Sequence, residues 1–333
     1  FHCKINSETP DSLRLSSQEV QDIMRRLHTT VGLIAILAFA TAHAASDTAS
    51  AKKALRWKLR AGQEFRVHSV QSSDGTITGD AGQEHEKVES VADELCRVEA
   101  VDSRGTADLT MTIERVRLRT RSPRGNVDID TNERTEKLPM DIALTAELAK
   151  KIISEMKVRF SVDNRGRIVA VKINEEAVRV WASIVPGWSD RFSEKEITKT
   201  LRQVLPVFPE SPLAVGDTWN DTLEFSRPHG TGFQKVYVKY RYAGPTAHNN
   251  RTVDKIVTEA TLDWGDEKLP HGVTVKVVSQ ENPGTIYFDN QTGRLVEIEN
   301  TQRRAIEYRR EGRTIREQVS ATSRIEIVPC PSQ

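Results

Sequence analysis

Beyond position 44, five histidines, two cysteines and one string of acids are the residues best suited to chemistry. His68, His85, His229, His248 and His271 never fall at the i, i+4 spacing that sets two imidazoles on one helix face over zinc, nor in an H-x-H strand pair. Three of the five stand beside Gly or Pro or Asn in sequence that reads as turn. There is no G-x-S-x-G elbow for a nucleophilic serine and no G-x-x-x-x-G-K loop for phosphate. "VDIDTNE" sets Asp128, Asp130, Asn132 and Glu133 in a calcium-like string. An EF-hand loop, however, needs Gly at its sixth place and Glu at its twelfth, where this chain has Glu133 and Pro139. Carboxylates are abundant, so a glycosidase-type acid pair stays open without a spacing to single it out. No catalytic, cofactor-binding or metal-binding residue is assigned, and no cofactor is implied. For Cys96 and Cys330 two readings stay open. They form a disulfide, stabilising by roughly 5 kcal/mol on a chain-entropy argument, or they are two separate thiols.

These residues lie behind a segment built for export. In "MRRLHTTVGLIAILAFATAHAA", Arg25 and Arg26 form a positive start, Val31 to Ala40 an apolar run, and Ala42-His43-Ala44 the small-x-small pattern of signal peptidase. Cleavage is expected between Ala44 and Ala45. The apolar run is about twelve residues against the ~20 that a spanning helix needs, so no stable transmembrane segment is expected after processing. Residues 1–23 read as upstream sequence, 24–44 as signal peptide and 45–54 as a flexible linker. The expected location is periplasmic or extracellular. In a eukaryotic secretory route Asn220, Asn250 and Asn290 would be glycosylation acceptors.

Residues 1–44 carry four of the 48 basic and four of the 47 acidic residues, so the remainder keeps a net charge of +1 with its signs interspersed. That balance gives no broad stripe for nucleic acid. The one local concentration, five arginines in "RVRLRTRSPR" from Arg115 to Arg124, reads as the solvated face of a strand and its turn. A chain of this length buries about 75% of its unfolded surface and folds without needing a disulfide.

The elements that position all these groups read mainly as antiparallel β. Period-two alternation marks Leu55-Trp57-Leu59, Cys96-Val98-Ala100, Val158-Phe160-Val162, Val236 to Tyr242, Val273 to Val277 and Ile325-Ile327. Charged residues fill the other face, as antiparallel sheets allow. In "LTMTIERVRL" the apolar parity switches between Ile113 and Val116, predicting a bulge near Glu114 or Arg115 and hence a curved sheet. Asp102 to Gly105, Asp163 to Gly166 and Asp289 to Gly293 predict hairpins in which Asp accepts backbone N–H bonds and Gly takes positive φ. Two or three central helices are expected: Thr145 to Lys157, a short one from Asn174, and Ser193 to Leu205. Pro206, Pro209 and Pro212 then hold an extended passage. Trp181, Trp188, Trp219 and Phe208 gather there and read as core packing.

"VRFSVDNRGRIVAV" and "GTIYFDNQTGRLVEI" echo each other, as do "RAGQEFRVHSV" and "AVGDTWNDTLEF". The expected architecture is therefore α+β, two related halves of curved sheet, 55–205 with the helices and 206–333. Together with "LRWKLRAGQEFRV" and "LPVFPESPLAVGDTW", these motifs resemble a family of exported bacterial β-rich proteins of planctomycete type. That family is a domain of unknown function, and the resemblance implies no activity. Three functions stay open. The first is a non-enzymatic domain binding an apolar ligand such as lipid, or an envelope protein, in the concavity of bent sheets. The second is a secreted hydrolase using an unmarked carboxylate pair, and the third a structural cell-surface module.

Overall fold

The computed structural model describes residues 52–80, 82–123, 125–133, 156–174, 193–226, 233–263, 273–310 and 312–330, with a few isolated positions between 147 and 179. The export segment and two of the three expected helices fall outside the described residues.

Among the described residues thirteen strands form one antiparallel sheet. They are β1 (Glu64–Gly79), β2 (Gly82–Val101), β3 (Ala107–Ser122), β4 (Gly125–Asp130), β5 (Lys157–Val162), β6 (Ile168–Ile173), β7 (Thr218–Ser226), β8 (Phe233–His248), β9 (Arg251–Asp263), β10 (Thr274–Glu281), β11 (Pro283–Asp289), β12 (Arg294–Arg310) and β13 (Arg313–Pro329). The pairing order is β6-β5-β3-β2-β1-β13-β12-β11-β9-β8-β7, with β4 also on β3 and β10 also on β12. The run β1-β2-β3-β5-β6 thus has the same pairing order as β7-β8-β9-β11-β12, and β13 joins them.

The one helix among the fully described segments, α1 (Glu194–Val204), starts where Ser193 accepts the Glu196 N–H. Its Ile197, Leu201 and Val204 recur at helical spacing and turn toward the cores. It lies against both β6 and β7, the two end strands of the sheet, and Arg202 Nη2 holds Asp221 Oδ1 of β7 at 2.9 Å. The open, curved sheet therefore has its two ends bridged by one helix.

Curvature comes from register shifts. Asp93 pairs with Arg115 but Glu94 with Ile113, so Glu114 is the extra residue the parity switch predicted. The Asp hairpins also form as expected. Asp102 Oδ1 accepts from Arg104 and Thr106 N–H, Asp163 Oδ1 from Arg165 and Arg167, and Asp289 Oδ1 from Gln291 and Thr292.

The stretch Leu55-Trp57-Leu59 departs from expectation: it is extended but is not a strand of the sheet. Apart from one bridge between Lys53 and Leu213, its bonds go to hairpin turns. Trp57 N–H donates to Asn164 O at 2.8 Å, and Lys58 N–H to Gly293 O at 3.0 Å. Asn290 accepts from Arg56 N–H and donates to Ala54 O. Alternation reported which side chains turn inward, Leu55 and Trp57 being buried, and said nothing of ladder pairing. Asn290, an acceptor sequon on sequence grounds, is buried in this clasp.

Two cores fill the inner face. One gathers Trp57, Phe208, Ile256, Ile286, Phe288 and Ile298, and the other Phe65, Cys96, Val98, Leu109 and Phe160. Leu59, Val67, Leu205 and Ile327 pack against both. Gly293 has φ +65°, and a Cβ there would strike the Lys58 backbone and side chain. Gly293→Ala is therefore expected to cost roughly 2–4 kcal/mol, combining left-handed strain with an overlap that backbone cannot relieve. Urea denaturation followed by circular dichroism measures it, and an unchanged midpoint would refute the clasp.

Candidate functional site

The described histidines each meet a carboxylate on an adjacent or nearby strand. His68 Nδ1 lies 2.6 Å from Asp93, His85 Nε2 2.8 Å from Asp74, and His248 Nε2 3.0 Å from Glu297. His229, His271, Trp181 and Trp188 lie outside the described residues. Among the described residues no three His, Cys, Asp or Glu gather as a metal site. The acid string and the arginine run neutralise each other across the β3–β4 hairpin: Arg115 pairs with Asp130, and Arg117 and Arg119 pair with Asp128. Trp57 and Phe208 are core, and Trp219 stacks on Tyr240 with centroids 5.1 Å apart.

Cys96 and Cys330 are free thiols. Cys96 pairs across the ladder with Phe65 of β1, while the Cys330 N–H bonds Glu64 O on the other edge of that strand. β1 thus stands between the two cysteines. Burial pushes the Cys96 thiol up, and the nearby Glu94 adds to it, so it is a poor nucleophile.

An acid pair that sequence spacing did not single out lies on β12. Glu297 is 1% exposed. Arg324 Nε reaches its Oε1 at 2.8 Å, and the His248 ring, stacked on Tyr287 with centroids 3.8 Å apart, reaches Oε2. Burial alone would raise the Glu297 carboxyl, but hydrogen bonds from Arg324 and His248 outweigh it and hold the group below the usual carboxylate range. Neighbouring Glu299 is raised by burial and by its hydrogen bond to Glu297. Of the two, Glu299 is therefore the one that takes up a proton first as pH falls. Both acids lie on one strand, and Glu297 is sealed from solvent. The facing arrangement across a cleft that a glycosidase uses is not what this pair makes.

The inner face offers a second locus. Beyond the row Phe65–Cys96–Met111, set by the ladder register, burial on this face is mixed, with Leu118 and Val88 buried further along. In the next rows Val67, Ser69 and Gln71 of β1, Glu94, Ala92 and Ser90 of β2, and Ile113 and Val116 of β3 are only half-buried. Glu94 is placed between Val67 and Ile113 by pairing on both sides. Burial among them, with a smaller push from Asp93, raises its carboxyl to about 7.

A polar row crosses the same face: Thr258, Gly284, Asn300, Ser323, Gln71 and Ser90 are successive cross-strand partners. Thr258 is 0% and Asn300 5% exposed. Asn300 Nδ2 donates to Ser323 Oγ at 3.1 Å, but Thr258 Oγ1 and Asn300 Oδ1 have no partner. Both oxygens lean over Gly284, where a Cβ would meet Thr258 Oγ1 at 2.9 Å and Asn300 Oδ1 closer still. None of this was legible beforehand, because the row is assembled from six strands spread from β1 to β13.

A family model described as "Family of unknown function (DUF6263)" matches residues 104–294. The chain belongs to this family. An uncharacterised domain is what the sequence resemblance implied. No curated protein matches the chain. Among solved structures, one of lipovitellin addressing its lipid–protein interactions is 12% identical, covering 82% of this chain and 26% of that one at TM-score 0.41. DynF of the dynemicin pathway of Micromonospora chersina is 7% identical, covering 90% and 98% at 0.21. An outer membrane channel from Pseudomonas putida F1 is also 7% identical, covering 85% and 100% at 0.23. The chain thus spans about a quarter of the lipovitellin chain. All three scores are low, and no function is carried over. Among the described residues no helix is long and apolar enough to cross a membrane.

Two outcomes are expected for this DUF6263 domain. The raised Glu94 means that between pH 4.5 and 7 the unfolded chain ionises there while the fold keeps its proton, so stability falls as pH rises through that window. Glu94→Gln should remove that loss, gaining about 3 kcal/mol over wild type at neutral pH and above. Urea midpoints measured across pH check it. Arg324→Ala leaves a buried carboxylate and should cost about 3 kcal/mol near neutrality. Because Glu297 is held low, this cost should shrink as pH drops below the usual carboxylate range and the group takes a proton. A pH-independent difference between the melting curves would refute the pairing.

Proposed function

We propose that this DUF6263 domain is an exported, non-enzymatic binding protein that holds an apolar ligand on the inner face of its curved sheet. The observation that carries the reading is the half-buried strip on β1, β2 and β3. There Val67, Ala92, Ile113 and Val116 keep solvent contact beside a filled core. Val67 packs against the cores on one side, and apolar surface left partly open beside such packing on a curved sheet is what ligand sites present. An envelope protein is the other occupant consistent with this surface. Export rests on the layout from Arg25 to Ala44. The matching pairing order of the two five-strand runs, each ending in an Asp-Asn hairpin, supports reading the domain as an internal duplication.

Native mass spectrometry of protein purified from its own host tests the binding. A co-purified apolar mass that organic solvent releases is expected, and a bare chain in every charge state would overturn the reading. N-terminal sequencing of the same material should start at Ala45. Retention of Met24 would remove export.

A further inference from the structure

Glu94 is an anomaly on that face. Cys96 and Val98, two and four residues on, turn into the core, and the same alternation turns Glu94 inward between Val67 and Ile113. Other inward or buried carboxylates have partners: Asp254 is bonded by Lys53 Nζ and Tyr242 OH, Asp130 by Arg115, and Glu297 by Arg324 and His248. Among the described residues no cation or hydrogen-bond donor reaches Glu94, and the charge acting on it is the repelling one of Asp93. Arg66, His68 and Arg115, the nearest basic groups in the ladder, are engaged with Glu114, Asp93 and Asp130. A lone carboxylate against apolar side chains is unfavourable unless something brought to it supplies charge or donors.

The polar row gives an independent indication of the same kind. Asn300 Oδ1 accepts only, and it is buried and unpartnered over Gly284. Arg304, two rows further along β12, has its charge paired through Nη2 with Glu317 at 3.3 Å. The Arg304 Nε–H is also buried without a hydrogen-bond partner, but its charge is already met by Glu317, whereas the charge of Glu94 is met by no group among the described residues; a headgroup bearing N–H donors and positive charge answers both Glu94 and Asn300 Oδ1.

We infer that the inner face binds an amphiphile with a protonated amine, its ammonium on the Glu94 carboxylate and its hydrocarbon along Val67, Ile113 and Val116. This rests on the apolar-ligand reading and specifies its polar end. Three probes of equal chain length separate the two: dodecylamine, dodecanol and dodecanoate, each titrated by calorimetry into the full chain and into Glu94→Gln. At about pH 8 the amine should bind wild type roughly tenfold tighter than dodecanoate, the size of one partly desolvated charge pair. The preference should fade below about pH 6 as Glu94 takes up its proton. In Glu94→Gln, confirmed as folded by its melt, the amine preference should vanish while dodecanol binding stays. Equal or tighter binding of dodecanoate, or an amine preference that survives Glu94→Gln, overturns the amine seat and leaves the apolar-ligand reading standing. No binding of any probe overturns both.

Discussion

The fold depends on a short extended segment, Leu55 to Lys58, gripped between the two Asp-Asn hairpins. Main-chain bonds from Trp57 to Asn164 and from Lys58 to Gly293 tie it to turns about 130 residues apart in the chain. Its side chains then serve the interior: Trp57 meets Phe288 edge-on at 5.5 Å, and Phe208 closes on Phe288 at 4.6 Å. Phe208 itself is fixed by a reciprocal pair of bonds with Arg165, N–H to carbonyl and guanidinium to carbonyl. The proline passage and the segment thus lock onto the same turn. Glycines at 166 and 293 are required because backbone or ring atoms stand where their side chains would be. Without this clasp the two cores would share only the few residues that bridge them, among them Val67 and Ile327.

Bulges explain several exposed apolar residues. Ser161 pairs with Ala170 but Val162 with Ile168, which leaves Val169 as the extra residue, 62% exposed. The shift between Val277 and Ser279 does the same to Val278, 41% exposed. Each inserted residue bends its strand and leaves its own side chain unpaired. These valines are therefore products of curvature, and they need no binding partner to account for them.

How much could be read beforehand follows from how local each feature is. The Asp-to-Gly hairpins, the Glu114 bulge and the Ser193-capped helix are set by residues within a few positions of one another, and all three appear where sequence placed them. Leu55 to Leu59 was read as a strand because alternation reports burial, while membership of a sheet depends on whether a free edge is available. The transverse row from Thr258 to Ser90 was invisible for a stronger reason. A one-residue change of register in any of its ladders would dissolve it, and register among strands so far apart is settled only by the whole fold. The isolated position of Glu94 was hidden likewise, since its neighbours Val67 and Ile113 come from other strands.

The contrast between Glu297 and Glu94 gives the molecule its most informative asymmetry. Both acids sit on long strands, and desolvation works against the charge of each. For Glu297 the fold supplies a guanidinium and an imidazole, and the net effect favours ionisation. For Glu94 no cation or donor among the described residues does the same, and burial raises its carboxyl to about 7. A glutamine in its place would fill the same volume without that penalty, and leucine would extend the apolar rows beside it. Keeping an ionisable group where no described residue partners it costs folding stability at neutral pH. Such a cost is characteristic of positions that serve a bound molecule, and the neighbouring strip of unfilled apolar surface is where that molecule would lie.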